Sequence, residues 1–533
     1  FKEYFNDLVY SILSGDQVDD LDKLQKDFSE WRLERAPEYA TTIGIHRYND
    51  ILENFKWQRF DTDKEKTESF LSGLQRIDYN SLDELNKAGY DVFNDTLHTF
   101  LQGYKWKDYN AMNPVSFLEG PHTDPQGFTD SAPFYTYGDY VNFLSRIQKL
   151  PQQIEDMIGR MNRSITFRHT YYNTAVLEVP NQIDGILTDR PEDFPFYKPF
   201  TEKLQNNTNI EDSLKITLRN DAKTAIQNVL SKFRALKTYM SQVYQRNTRS
   251  QPGVNSWDKG EEYYRDCLRW HLSLDMSPEE VHQKGLEEVS RISGKMNTIM
   301  KRLNHQGSVK QFFDNIKSDS RFFLNTSEQV LNRFNDIVHR QIEPTLPQLF
   351  KDLPNLPVVV TIDFMALSLH ETSPGHHLQG WALYSEALGE ELNLYKDDYE
   401  FWSRQHAIQY MLNYTAYNEE AMTNEIDRYL VWPGQACAYK IGELKIRELR
   451  TKAEKELGTN FDIKDFHSAV LKNGALQLNI LERIVNQWIQ SVKESASTNP
   501  ATNTCKGGTS AAESTSANVL HLFLGIIWFL LVR

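Results

Sequence analysis

Four residues in one short segment have the types that hydrolytic metal chemistry needs. Residues 366–380 read ALSLHETSPGHHLQG, which sets His370 and Glu371 side by side and His376 and His377 a few residues on. Neutral imidazoles are zinc ligands, and a carboxylate next to one of them can take a proton from an attacking water. In the familiar H-E-x-x-H arrangement the two histidines lie one helical turn apart and share the metal. Here the second histidine is six positions on. A regular helix would put it about 120° around and roughly 9 Å further along the axis, too far to share one ion. Pro374-Gly375 can break the helix between them, because proline removes a backbone hydrogen bond and glycine relaxes the chain. His376 is the preferred second ligand, with His377 as the alternative. The same residues also suit a helix end with a solvated cap.

The elements that must position such a site read as helices. Asp221 to Met240 carries apolar residues at the i, i+3, i+4, i+7 spacing of an amphipathic helix. Ser277-Pro278-Glu279-Glu280 has the residues of a capping box with proline at the first helical position, and Met276 and Val281 are placed for a hydrophobic staple. Leu476 to Val492 reads as the last core helix. Strand signals are few; Leu356 to Ile362 is the best of them.

HETSPGHHLQ followed by GWALYSEALGEEL resembles the signature of the domain-of-unknown-function 885 family. So do Phe28 to Tyr48, Cys267 to Ile292 and Asn413 to Glu448, so that the likeness spans the chain to about residue 493. The family is mostly α and is similar to zinc metallopeptidases of the H-E-x-x-H superfamily. The resemblance implies a large helical zinc-metallopeptidase-like domain with a few short strands, cutting peptides with a resident Zn2+. His370 and a second histidine would be ligands and Glu371 the general base. A third ligand would be a carboxylate, best placed at Glu386, which reaches the metal only if the chain reverses near Gly380. Unbroken helix from His376 to Glu386 would hold the two about 15 Å apart. Glu419, Glu420 and Glu425 are the alternatives. Arg428, Tyr429 and Tyr439 match polar positions of the family's C-terminal motif and could steady an oxyanion or grip a substrate carboxylate. The chain is shorter than the family pattern at three places near the motif, and Gln379 stands where the pattern has Glu before Gly-Trp-Ala-Leu-Tyr. A non-catalytic surface binding protein is the rival expectation.

The rest of the sequence bounds location and partners. A formal charge of −14 and no basic stripe disfavour nucleic acid. The three cysteines, Cys267, Cys437 and Cys505, match no metal-binding spacing; Cys267 and Cys437 could form a bridge or remain buried thiols. Val519 to Val532 is an apolar run of fourteen residues behind a small, polar stretch. That is the pattern of a GPI-attachment signal, with Gly508 as attachment site. Sequons at Asn94, Asn162, Asn206, Asn325 and Asn413 also favour the cell exterior. The expected organisation is a helical domain over 1–493, a flexible stalk over 494–508 and the signal over 509–533. The expected setting is the outer face of the plasma membrane, held by a lipid anchor, with peptides as substrates. Oligomeric state is silent in the sequence.

Overall fold

A computed structural model describes residues 16–319, 326–336, 339–340, 343–351, 404–414, 418–474 and 476–498. The chain is mostly helical. Among the described residues there is no strand, and one isolated bridge joins Tyr172 to Arg249. The few short strands expected from the sequence are therefore not found among them; Leu356 to Ile362 lies outside. Within the span read as one domain, the chain divides into two compact units, one of residues 20–77 and 94–263 and the other of 1–19, 78–93 and 264–533.

In the unit of residues 20–77 and 94–263, the helix Tyr137–Phe167 is set by its ends. Thr136 and Asp139 form a capping box at its start, and Arg168 closes it in the left-handed conformation with φ 60°. Its buried face runs through Tyr140, Phe143, Ile147, Ile154 and Met161. That face packs against the helix Asp212–Tyr239, whose buried stripe includes Ala222, Ile226, Val229 and Phe233. The helix foreseen over Asp221 to Met240 is thus present and begins nine residues earlier, passing at Met240 into a π turn, Met240–Tyr244. Aromatic rings from the irregular segments finish this core. Phe134 meets Phe143 edge-on at 5.0 Å between centroids, and Phe196 meets Phe128 at 5.2 Å.

Arg146 is only 2% exposed, so its charge needs fixed acceptors. It donates to the carbonyls of Ile51 at 2.8 Å, Pro37 at 2.8 Å and Tyr48 at 3.0 Å. One side chain of the long helix thereby fixes the backbone of the segment 37–51, about a hundred residues away.

The other unit is built on the helices Cys437–Leu457, Ile463–Leu471 and Leu478–Thr498. Ile446, Leu449, Phe466, Leu481 and Val485 are central to its core. The last helix carries Arg483, paired with Asp91, and Gln487, which donates to Glu84 at 2.8 Å. That helix continues to Thr498, five residues into the segment read as a stalk. The capping box foreseen at Ser277 is formed in full on the helix Pro278–Arg302. Met276 and Val281 both lie against the small core of Leu268, Leu272, Ala438 and Ile441.

His467 is fully buried in this unit and stacks on Phe350 at 5.0 Å. Its Nδ1 donates to the Leu349 carbonyl at 2.8 Å. Burial depresses its pKa to about 4, against the pull of that carbonyl. The folded state therefore keeps the ring neutral while an unfolded chain protonates it near pH 6.5. The stability it lends is complete above pH 6.5 and is lost as the pH falls towards 4. At pH 5 the penalty from this ring is about 2 kcal/mol. Denaturant unfolding at pH 7.5 and pH 5 should show a smaller difference in His467→Gln than in the parent, by about that amount. Equal differences in the two proteins would contradict this reading.

Candidate functional site

His370, Glu371, His376, His377 and Glu386 lie outside the described residues. What the structure does describe is the polar cluster that the C-terminal motif builds. The helix Glu419–Val431 starts at Asn418, whose side chain accepts from the Ala421 N–H at 2.8 Å. Glu419 and Glu420 occupy its first turn, where acids suit the helix dipole, and Asn418 to Glu420 are exposed. They are solvated helical acids. The opposite face buries Met422 and Ile426 against Ile408 of the helix Arg404–Tyr414. Asp427 is buried within this apolar face and takes a two-pronged bond from Arg404, at 2.5 and 2.7 Å.

Glu425, Arg428 and Tyr429 follow at i, i+3 and i+4, so they share one side of the helix. Arg428 grips Glu425 with Nε, at 3.0 Å, and with a terminal nitrogen. Its other terminal nitrogen donates to the Gln435 side-chain oxygen. Gln435 is buried, and its amide donates to the Tyr439 hydroxyl at 3.2 Å. The guanidinium also lies 5.1 Å from the centroid of the Tyr429 ring. The three C-terminal residues singled out in the sequence are therefore brought together, with Glu425 and Gln435 as their links. Glu425, considered above as a metal ligand, is instead the partner of Arg428.

The electrostatics follow from this pairing. Burial would raise the Glu425 carboxyl, but the hydrogen bonds and charge of Arg428 outweigh it and hold the group below its ordinary value. Burial would lower Arg428, and Glu425 more than restores it. Both groups are ionised at neutral pH. Burial and then the charge of Glu425 push the Tyr429 phenol upward, so it remains a protonated hydroxyl. Arg428 carries five N–H donors, of which three are engaged in these bonds. The others leave the cluster able to take an oxyanion or a carboxylate from a ligand.

The turn between the two helices sets this geometry. Gly434 has φ +86°, and a Cβ there would sit 3.3 Å from the Leu268 side chain. Glycine satisfies both demands, and the chain then re-enters helix at Cys437, bringing Tyr439 into its first turn. Cys437 and Cys267 are free thiols, both half-buried. Tyr264 shares a hydrogen bond with the Cys437 thiol, which burial pushes upward. His271 is half-buried, and burial depresses its pKa to about 4, as suits a packed ring.

Among the described residues no group of three or more His, Cys, Asp or Glu side chains is arranged to hold a metal ion. Of the sequons, Asn94 and Asn162 lie within helices, and Asn162 accepts from the Tyr239 hydroxyl at 3.0 Å. Asn206 is exposed in a turn. Asn413 falls in the helix Arg404–Tyr414, and Asn325 and Gly508 lie outside the described residues. Sequence reasoning missed Gln435 and Asp427. The signals were present: Gln435 stands four residues before Tyr439, and Asp427 interrupts the apolar face of Met422, Ile426 and Val431.

The model of the family described as "Bacterial protein of unknown function (DUF885)" matches residues 37–362 and 399–485. The chain belongs to the DUF885 family. The two matched segments stop short of and resume beyond the His370-Glu371 segment, and the second contains Arg428, Tyr429 and Tyr439. Two solved structures share the DUF885 chain's fold. One, from Colwellia psychrerythraea and described as a "putative lipoprotein", has a TM-score of 0.79 and 22% identity, over 89% of this chain and 99% of that one. The other, from Shewanella oneidensis and described as a "putative lipoprotein of unknown function", has a TM-score of 0.61 and 14% identity, over 87% and 99%. No curated protein matches the chain. Among the described residues no helix is long and apolar enough to cross a membrane.

Proposed function

We propose that this DUF885 protein is a zinc-dependent hydrolase of peptides working at the cell surface. The observation that carries the reading is the pairing of His370-Glu371 with His376 and His377 across Pro374-Gly375. His370, His376 or His377, and a carboxylate such as Glu386 would hold the metal. A zinc ion held there would polarise the peptide carbonyl and acidify a bound water. Glu371 would act as the general base, taking a proton from the attacking water and passing it to the leaving amine. Arg428, with Tyr429 and Tyr439 beside it, supports the same reading. A charged guanidinium with N–H donors to spare suits the carboxylate of a peptide or the oxyanion formed during attack.

A second reading has its own observation. Gln379 replaces the family's Glu, and the segment between the two family-matched stretches carries the whole His-Glu motif. On this reading the chain is a non-catalytic surface protein that binds peptides or proteins.

We place the protein outside the cell on a GPI anchor at Gly508, with glycans on its sequons. The support is the small, polar, then apolar order of residues 506–532 and the exposed turn at Asn206. The family's description is bacterial, whereas GPI attachment is eukaryotic, so the anchor rests on this sequence alone. The descriptions of the two structural neighbours as lipoproteins fit a membrane-attached setting reached by a different anchor.

Glu371→Gln should keep the thermal midpoint of the parent and lose at least about a hundredfold in peptide hydrolysis, the usual weight of a general base. Full activity in that variant would sink the mechanism, and a parent with no activity on any peptide would favour the binding reading. Phospholipase C specific for phosphatidylinositol should release the protein from cells that express the full-length sequence. Protein that stays on the membrane after treatment would remove the GPI assignment.

A further inference from the structure

The unit of residues 20–77 and 94–263 contains a cavity of about 350 Å³ whose wall holds two arginines and no carboxylate. Arg168, Thr170, Arg249, Ser250 and Trp257 are among the residues that line it. The helix Tyr137–Phe167 ends at Arg168, in the left-handed conformation, and the chain turns back through Thr170. The strand-like bridge between Tyr172 and Arg249 brings the segment 247–251 alongside. Two backbone stretches some eighty residues apart are fastened here, as Thr170 also donates to the Asn247 carbonyl at 2.9 Å.

Arg249 is the unusual member. Its nitrogens donate to the carbonyls of Gln251 at 2.9 Å, Thr170 at 3.1 Å and Pro252 at 2.7 Å. All three acceptors are neutral, and no carboxylate pairs with it among the described residues. A guanidinium has five N–H donors, so two are left over. Burial lowers its pKa to about 10 against the pull of nearby tyrosines, as expected of a cation without a counter-ion. Trp257 belongs to the same wall, its ring centroid 4.7 Å from the Arg249 guanidinium. The indole N–H of Trp257 has no acceptor among the described residues, though the side chain is only 5% exposed. Arg168 is exposed and likewise has no acidic partner among them. Buried donors left unmet are costly and usually mark where a ligand or water completes the set.

We propose that this cavity is a binding site for a small oxyanion, a carboxylate or phosphate group carried on a ligand, held between Arg168 and Arg249. Arginine takes such groups through paired, charge-assisted bonds, and the volume leaves room for a small ligand body beyond the anion. On a chain of net charge −14, a wall of two cations without an acid is a local reversal that favours anions at short range. The site stands within one unit and does not rest on the hydrolase reading.

Calorimetric titration of the full chain with inorganic phosphate and, separately, with acetate tests it at fixed chloride. At least one anion should saturate a single site per chain. Arg168→Gln, at an exposed position, should weaken that binding about fivefold or more with an unchanged thermal midpoint. Trp257→Phe, which removes the N–H and keeps most of the ring, should weaken it less. Tighter phosphate assigns the site to a phosphate ester, and tighter acetate to a carboxylate. Absence of saturable binding by either anion, or binding unchanged in Arg168→Gln, would overturn the proposal.

Discussion

A guanidinium withdrawn from water must be met by acceptors that hold still, and within each unit such a requirement fixes the local backbone. In one, Arg146 is buried and meets it with three carbonyls of the distant segment 37–51. In the other, Arg428 meets it with Glu425 on its own helix and Gln435 in the turn that follows. The second case is the one that the proposed function draws on. The Arg428 pairing ties the end of one helix to the start of another, and Tyr439 is positioned through Gln435 as a result. Gly434 makes that path possible, because its positive φ strains any other residue and Leu268 lies close to where a side chain would begin.

A cluster of this kind is more useful as a grip than as a source of stability. A half-buried ion pair in one helix adds little to folding once its desolvation is counted. Its value lies in a fixed charge with donors unused, aimed by neighbours that are themselves fixed. The protonated phenol of Tyr429 beside a permanent cation suits the recognition of an anionic group. Peptide hydrolysis supplies two, the substrate carboxylate and the oxyanion of the attacked carbonyl. In the proposed hydrolase, the polar cluster and the His-Glu motif would serve one chemistry from separate parts of the chain.

Much of the helical framework was legible because its rules are local. The capping box at Ser277 and the apolar stripe beyond Asp221 involve residues three or four apart, and both are realised. Arg428, Tyr429 and Tyr439 were legible through a family motif, and they meet in the fold. Gln435 and Asp427 were not, since a lone amide and a lone acid on a helix read as solvated surface until their partners are seen. The role of Arg146 was invisible for a different reason: its acceptors are backbone carbonyls about a hundred residues away, which no side-chain pattern announces. The Arg249 cavity shares that cause, being made where two segments far apart in sequence are bridged. At the chain's end, Glu494 to Thr498 has the polar composition of a linker but extends the final helix, whose buried Val485 and Ile489 anchor the preceding turns.

The claim that matters most is that the His370 segment closes around a metal despite its six-residue spacing. Elemental analysis of the purified chain, ending near Asn503, measures it without reference to any substrate. About one zinc per chain is expected, lost in a His370→Ala control that keeps the parent's thermal midpoint. A well-folded parent with no zinc after dialysis against the metal would contradict it.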